Sequence, residues 1–163
     1  MATTANESAG KTTMTLPGDR EIHVERIFNA PRERVWRAYT ERDLVAKWWG
    51  RGNPLDIEKM DVRKDGEWRF IEKADGKSFG FQGRYIEVTP MDRITQTFGW
   101  DEMKEGEIVE TTEFHDLGDG RTKIVATSRF SSPEDRTSML NYGMEGGMNE
   151  SYAALDRLLE TIE

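Results

Sequence analysis

The sequence predicts an α+β fold in which a curved, seven-stranded antiparallel sheet wraps around a long C-terminal helix, with two short helices between strands one and two. Three observations point to it. From Pro54 to Phe130 apolar and polar residues alternate at period 2, in runs broken by glycine, aspartate and proline. After Ser132 the apolar spacing becomes helical. The 163 residues supply one core, burying about two-thirds of the unfolded surface, with little room for a second.

Taken in order, residues 1–18, MATTANESAGKTTMTLPG, are small and polar and read as a disordered tail, leaving 19–163 as one domain. From Arg20 to Phe28, Ile22, Val24 and Phe28 recur on one side, the mark of a half-buried strand. Asn29-Ala30-Pro31 ends it, and Pro31 suits a helix start because its missing N–H would be unpaired there. That short helix buries Val35, Ala38 and Tyr39. Thr40 and Asp43 resemble a capping box for the second, which carries Leu44, Val45 and Trp48 on one face and Gly50 as a left-handed terminator.

Turns at Lys64-Asp65-Gly66, Ala74-Asp75-Gly76, Thr89-Pro90-Met91-Asp92 and Gly118-Asp119-Gly120 separate strands near 55–63, 67–74, 78–89, 92–100, 107–117 and 121–131. Alternation turns inward Trp68 and Phe70; Phe79, Phe81 and Tyr85; Ile94, Phe98 and Trp100; Ile108, Thr112 and Phe114; and Ile124, Ala126, Ser128 and Phe130. Ser132-Pro133-Glu134 opens the last segment, where Met148, Ser151 or Tyr152, Leu155, Leu158 or Leu159, and Ile162 keep helical spacing. Gly143, Gly146 and Gly147 lie near its start, each costing up to about 1 kcal/mol against alanine. They predict a kink or close backbone approach at a cavity mouth, or else a helix that starts later or packs tightly.

Composition excludes several classes of function. With 23 basic against 31 acidic residues the net charge is −8, so nucleic acid and anionic lipid are repelled. Cysteine is absent, which removes disulfides, thiolate metal sites and cysteine nucleophiles. The tail lacks the apolar run of a signal peptide and no stretch has the length of a membrane span, so a soluble, cytoplasmic protein without membrane insertion is expected. His23 and His115 alternate outward, no HExxH or GxSxG string occurs, and no cofactor or metal is expected. GDGRT and GMEGGM lack phosphate-loop spacing, and GDGRT is a hairpin turn.

A single helix laid across a curved sheet covers its middle better than its ends, so a cavity can remain where the two diverge. The candidate lining is Trp48, Trp49, Trp68, Phe70, Phe81, Tyr85, Trp100, Thr112, Phe114, Met139, Tyr142, Met144 and Met148. Such side chains fill cores as well as pockets, and on the residues alone both readings stand.

The stretches ERIFNAPRERVWRAYTERDLVAKWWG (Glu25 to Gly50), DGKSFGFQGRYIEVTPMDRITQTFGW (Asp75 to Trp100), GDGRTKI (Gly118 to Ile124) and GMNESYAALDRLLETI (Gly147 to Ile162) together resemble the homologues of the heat shock protein 90 ATPase activator. That family lies in the START-related, birch-pollen-allergen-like SRPBCC superfamily, and the likeness runs over about residues 20–162. It implies a helix-grip fold with a hydrophobic cavity between sheet and C-terminal helix. Members commonly carry Gly-Gly where this chain has Asp65-Gly66, and tryptophan where Met148 follows Gly147. The smaller, more flexible methionine predicts a larger or more adaptable cavity there.

The expected function is therefore a carrier or sensor of a small, lipid- or polyketide-like apolar molecule. Two alternatives accompany it. Related SRPBCC enzymes imply a cyclase or lyase using a cavity acid, with Glu110, Glu87 or Arg84 near Tyr85 as candidates and cross-strand surface pairing as their ordinary explanation. The family name implies a chaperone-associated stress-response role. A meander also leaves two edge strands, at which a homodimer contact can form.

Overall fold

The computed structural model describes residues 10–102 and 107–162. In chain order the elements are β1 (Thr12–Thr15), β2 (Glu21–Phe28), α1 (Arg32–Thr40), α2 (Arg42–Trp48), β3 (Leu55–Met60), β4 (Glu67–Ala74), β5 (Lys77–Thr89), β6 (Arg93–Trp100), β7 (Ile108–Asp116), β8 (Thr122–Arg129), α3 (Pro133–Asn141) and α4 (Met144–Leu159). All strand pairings are antiparallel, in the order β1-β2-β8-β7-β6-β5-β4-β3. No helix among the described residues is long and apolar enough to cross a membrane.

Among the described residues the sheet thus has eight strands rather than seven, because part of the expected tail is β1. Thr12–Thr15 pairs with His23–Arg26, and Thr12 and Met14 turn toward the protein while Thr13 and Thr15 face out. The segment is polar, yet threonine is a good strand former, and a short edge strand needs little apolar surface once β2 offers a ladder. Residues 1–9 of the expected tail lie outside the described residues.

Two helix expectations also change. The Thr40–Asp43 capping box does not form: Thr40 Oγ1 donates to the Trp36 carbonyl (2.8 Å) and Glu41 caps α2 without a side-chain bond. The expected single C-terminal helix is two, broken at Gly143, whose φ of 80° is left-handed. Of the three glycines this one has a conformational reason, since such a backbone disfavours every other residue. Ser132 does open α3, accepting from the Asp135 N–H at 3.1 Å.

At Asp65-Gly66 the roles of the two residues differ. Asp65 takes the left-handed conformation (φ 68°), which aspartate tolerates. Gly66 is there for space, because a Cβ would lie 1.9 Å from the Asp61 carbonyl oxygen.

The core lies between the sheet's inner face and the helices. Ile22, Val24 and Phe28 of β2, Phe114 of β7, Ile124 of β8 and Val35 of α1 are almost fully buried, and Leu155 of α4 packs into them. Burial along α4 is uneven. Tyr152, Ala154, Leu155, Leu158 and Leu159 are buried, whereas Met144 and Met148 in its first two turns, like Met139 and Leu140 of α3, are only half-buried against the core. The C-terminal half grips the sheet and the N-terminal half stands away from it.

Candidate functional site

That divergence opens a cavity of about 980 Å³. Met144, Gly147, Met148 and Ser151 form its helical wall at spacings of three and four, so one face of α4 lines the cavity and, from Tyr152 onward, enters the core. The sheet contributes Ile22, Val24, Phe81, Phe98, Trp100, Thr112 and Ala126. The exposed lining residues mark the mouth: Phe79 (37 % exposed) and Tyr142 (64 %) flank it, with Lys77 and Asp101 nearby. Tyr142 stands edge-on to Trp100 at 4.9 Å. Ile22, Val24, Trp48 and Tyr152, all buried, mark the closed end.

Of the thirteen predicted residues, Trp48, Trp49, Phe81, Trp100, Thr112, Met139, Tyr142, Met144 and Met148 line this space. The other four lie behind it. Trp49 stands edge-on to Trp68 (6.1 Å), Phe70 (5.1 Å) and Phe81 (5.0 Å), screening Trp68 and Phe70 from the cavity. Phe114 is covered by Trp36 and Tyr39, with ring centroids at 5.0 and 5.1 Å. Tyr85 is held at the 61–66 turn, its N–H donating to the Gly66 carbonyl and its carbonyl accepting from the Asp65 N–H, both at 2.8 Å. Burial raises the Tyr85 phenol's pKa, with the Asp61 charge adding to it. Inward alternation identifies the face of a strand but not which second layer covers it.

Residue patterns pointed less clearly to the polar part of the wall. Glu72 occupies the inward position after Trp68 and Phe70, and is buried. Its Oε2 accepts from Arg51 Nε (3.2 Å), Arg51 Nη2 (3.0 Å) and Asn53 Nδ2 (2.7 Å). The Arg51 N–H donates to Ser151 Oγ at 2.8 Å, tying the loop after α2 to both β4 and α4. Such buried charge needs partners, and three donors supply them.

Arg26 fills the inward position between Val24 and Phe28. It is buried, pairs with Asp156 of α4, donates to Thr12 Oγ1 (2.9 Å), and lies over the Phe28 and Tyr152 rings at 5.2 and 5.4 Å. Tyr39 and Tyr152 hydrogen-bond to each other; burial raises both phenols, Tyr152 to about 12.

Glu110 is the candidate acid that the structure places inside. It lines the cavity from the middle of β7, between Gln96 on β6 and Ser128 on β8. Ser128 Oγ donates to its Oε2 at 3.4 Å, and burial pushes its pKa up to about 7 against that weak stabilisation. The carboxyl is half-buried by surface area, and with strands on both sides and α4 above, the area it keeps is cavity wall. Glu87 and Arg84 lie outside: Glu87 pairs with Arg93 (3.2 Å) and Arg84 with Glu107 (3.0 Å), the surface pairing expected of them.

His23 and His115 also pair with acids, Glu25 (2.9 Å) and Glu113 (3.1 Å). Among the described residues no group of three or more histidines and carboxylates is arranged to hold a metal ion.

A curved antiparallel sheet closed around a C-terminal helix, with a cavity between them, is the helix-grip class of fold shared by birch-pollen-allergen-like and START-like domains. Solved structures agree. A Rhodobacter sphaeroides protein superposes with a TM-score of 0.85 at 26% identity, over 94% of this chain and 100% of its own. One from Arthrobacter aurescens gives 0.84 at 22% identity over 92% of each chain, and Mycobacterium smegmatis Ms6760 gives 0.81 at 19% over 93% and 97%. No curated protein matches. Residues 29–160 match the family described as Activator of Hsp90 ATPase homolog 1-like protein, and the chain belongs to that family.

Proposed function

We propose that this protein is a non-enzymatic carrier or sensor that encloses one small apolar molecule between sheet and helix. The cavity carries the reading. At about 980 Å³ it sits at the upper end of small-molecule sites, which run to roughly 1,000 Å³. Its mouth is open to solvent between exposed Phe79 and Tyr142, so the space does not stay a dry void. The space is therefore wet or filled, and an apolar guest that releases water from an aromatic- and methionine-rich wall gains free energy.

Calorimetric titration with n-decanol tests the reading. Saturable binding with a negative heat-capacity change is expected. In Ala126→Phe, which fills the cavity from its half-buried sheet wall, affinity falls by about tenfold or more while the protein stays folded. Failure of decanol to bind up to its solubility limit, and of a set of neutral aromatic probes to bind at millimolar concentration, overturns it.

Glu110 favours a second reading, a cyclase- or lyase-type enzyme with this carboxyl as acid or base. It requires a substrate whose turnover, but not binding, is lost in Glu110→Gln. The family description adds chaperone ATPase activation, tested by adding the purified chain to Hsp90 and following ATP hydrolysis.

A further inference from the structure

We propose that the cavity selects apolar molecules carrying a protonated amine, and that Glu110 is the group that receives it. The assignment rests on the carrier reading and names the head group of its guest. Three observations carry it.

First, Glu110 is a carboxyl built into a wall. Neighbouring strands flank it on both sides, and its inner face is open to the cavity. Among the described residues one hydrogen bond reaches it, the 3.4 Å contact from Ser128. Glu72, the fully buried acid of the wall, has three donors within 3.2 Å. A half-buried carboxylate so poorly supplied retains acceptor capacity for a ligand.

Second, the cations within reach are committed elsewhere. Arg51 spends its guanidinium on Glu72, and Arg26 is held by Asp156 and Thr12. The remaining basic lining residue, Lys77, is exposed at the mouth.

Third, the lining is acidic in sum. Among the described lining residues Glu72 is paired with Arg51 and Asp101 with Arg69 (2.9 Å), which leaves Glu110 and Glu102 against Lys77, in a chain of net charge −8. A carboxylate head group such as that of a fatty acid meets repulsion, whereas an ammonium meets an unfilled acceptor among aromatic rings that also favour cations.

The test compares three probes with one tail, n-decylamine, n-decanol and n-decanoate, by calorimetry on the full chain and on Glu110→Gln. It is run at about pH 8, above the Glu110 pKa of about 7 and below that of an alkylamine. Decylamine is expected to bind the native protein at least about tenfold tighter than decanoate and to lose about tenfold or more in Glu110→Gln, with decanol binding within about threefold in both. Retained decanol affinity also shows that the variant is folded with its cavity intact. Decanoate binding as tightly as decylamine, or decylamine indifferent to Glu110→Gln, overturns the head-group assignment and leaves the carrier reading standing. Binding by none of the three overturns both.

Discussion

Glu110 and Ser128 face each other at 3.4 Å across β7 and β8, on a wall that is otherwise mainly apolar. Lost hydration outweighs that contact and raises the carboxyl's pKa to about 7 from an ordinary value of 4.5. Between those values the folded protein holds a proton that the unfolded chain has released, so Glu110's contribution is present below about pH 4.5 and lost as pH rises through about 7. Glu110→Gln removes this dependence. Urea unfolding at pH 5 and pH 8 is expected to show the native protein losing about 1–3 kcal/mol more than the variant over that interval. Equal losses would mean that cavity water solvates the carboxylate fully.

The Arg26–Asp156 pair predicts an asymmetry. Asp156→Ala leaves a buried guanidinium with Thr12 and two rings for company and costs about 3 kcal/mol. Arg26→Met removes the charge, keeps much of the volume and costs clearly less, because the solvent-accessible Asp156 is then free to hydrate. Chemical denaturation of the two variants checks the order; the reverse order would show the pair to be a net stabiliser.

Gly83 has a steric rather than conformational role. A Cβ there would lie 2.0 Å from the Thr97 carbonyl oxygen and 2.6 Å from Trp68 Nε1, between the partners of the 3.2 Å bond from that indole to that carbonyl. Gly83→Ala is expected to cost about 3 kcal/mol, near the upper end of overpacking penalties, and to shift the Trp68 fluorescence. A variant as stable as the native protein would show that the β5–β6 ladder yields there.

Much of this architecture was legible because period-2 runs and turn chemistry agree with one another from Pro54 to Phe130. What escaped did so for physical reasons. Thr12–Thr15 lacks the apolar signal that marks a strand and takes its order from β2. Gly143 divides a helical pattern whose spacing looks continuous. The aromatic wall was found by alternation, yet Trp68, Phe70 and Phe114 face inward without touching the cavity, since Trp49 and Tyr39 come between. Arg26 and Glu72 occupy inward positions as charged residues, and their partners Asp156 and Arg51 lie 130 and 21 residues away, beyond any local pattern.

The carrier reading is tested most directly at three methionine methyls. Met139, Met144 and Met148 line the cavity from the helices, whereas Met14 and Met60 pack against the core outside it. In protein labelled with ¹³C-methyl methionine, titration with n-decanol is predicted to shift the first three signals saturably, with one shared affinity, and to leave Met14 and Met60 in place. Signals that stay fixed up to the solubility limit of decanol, or that all drift together without saturating, would contradict a ligand held between sheet and helix.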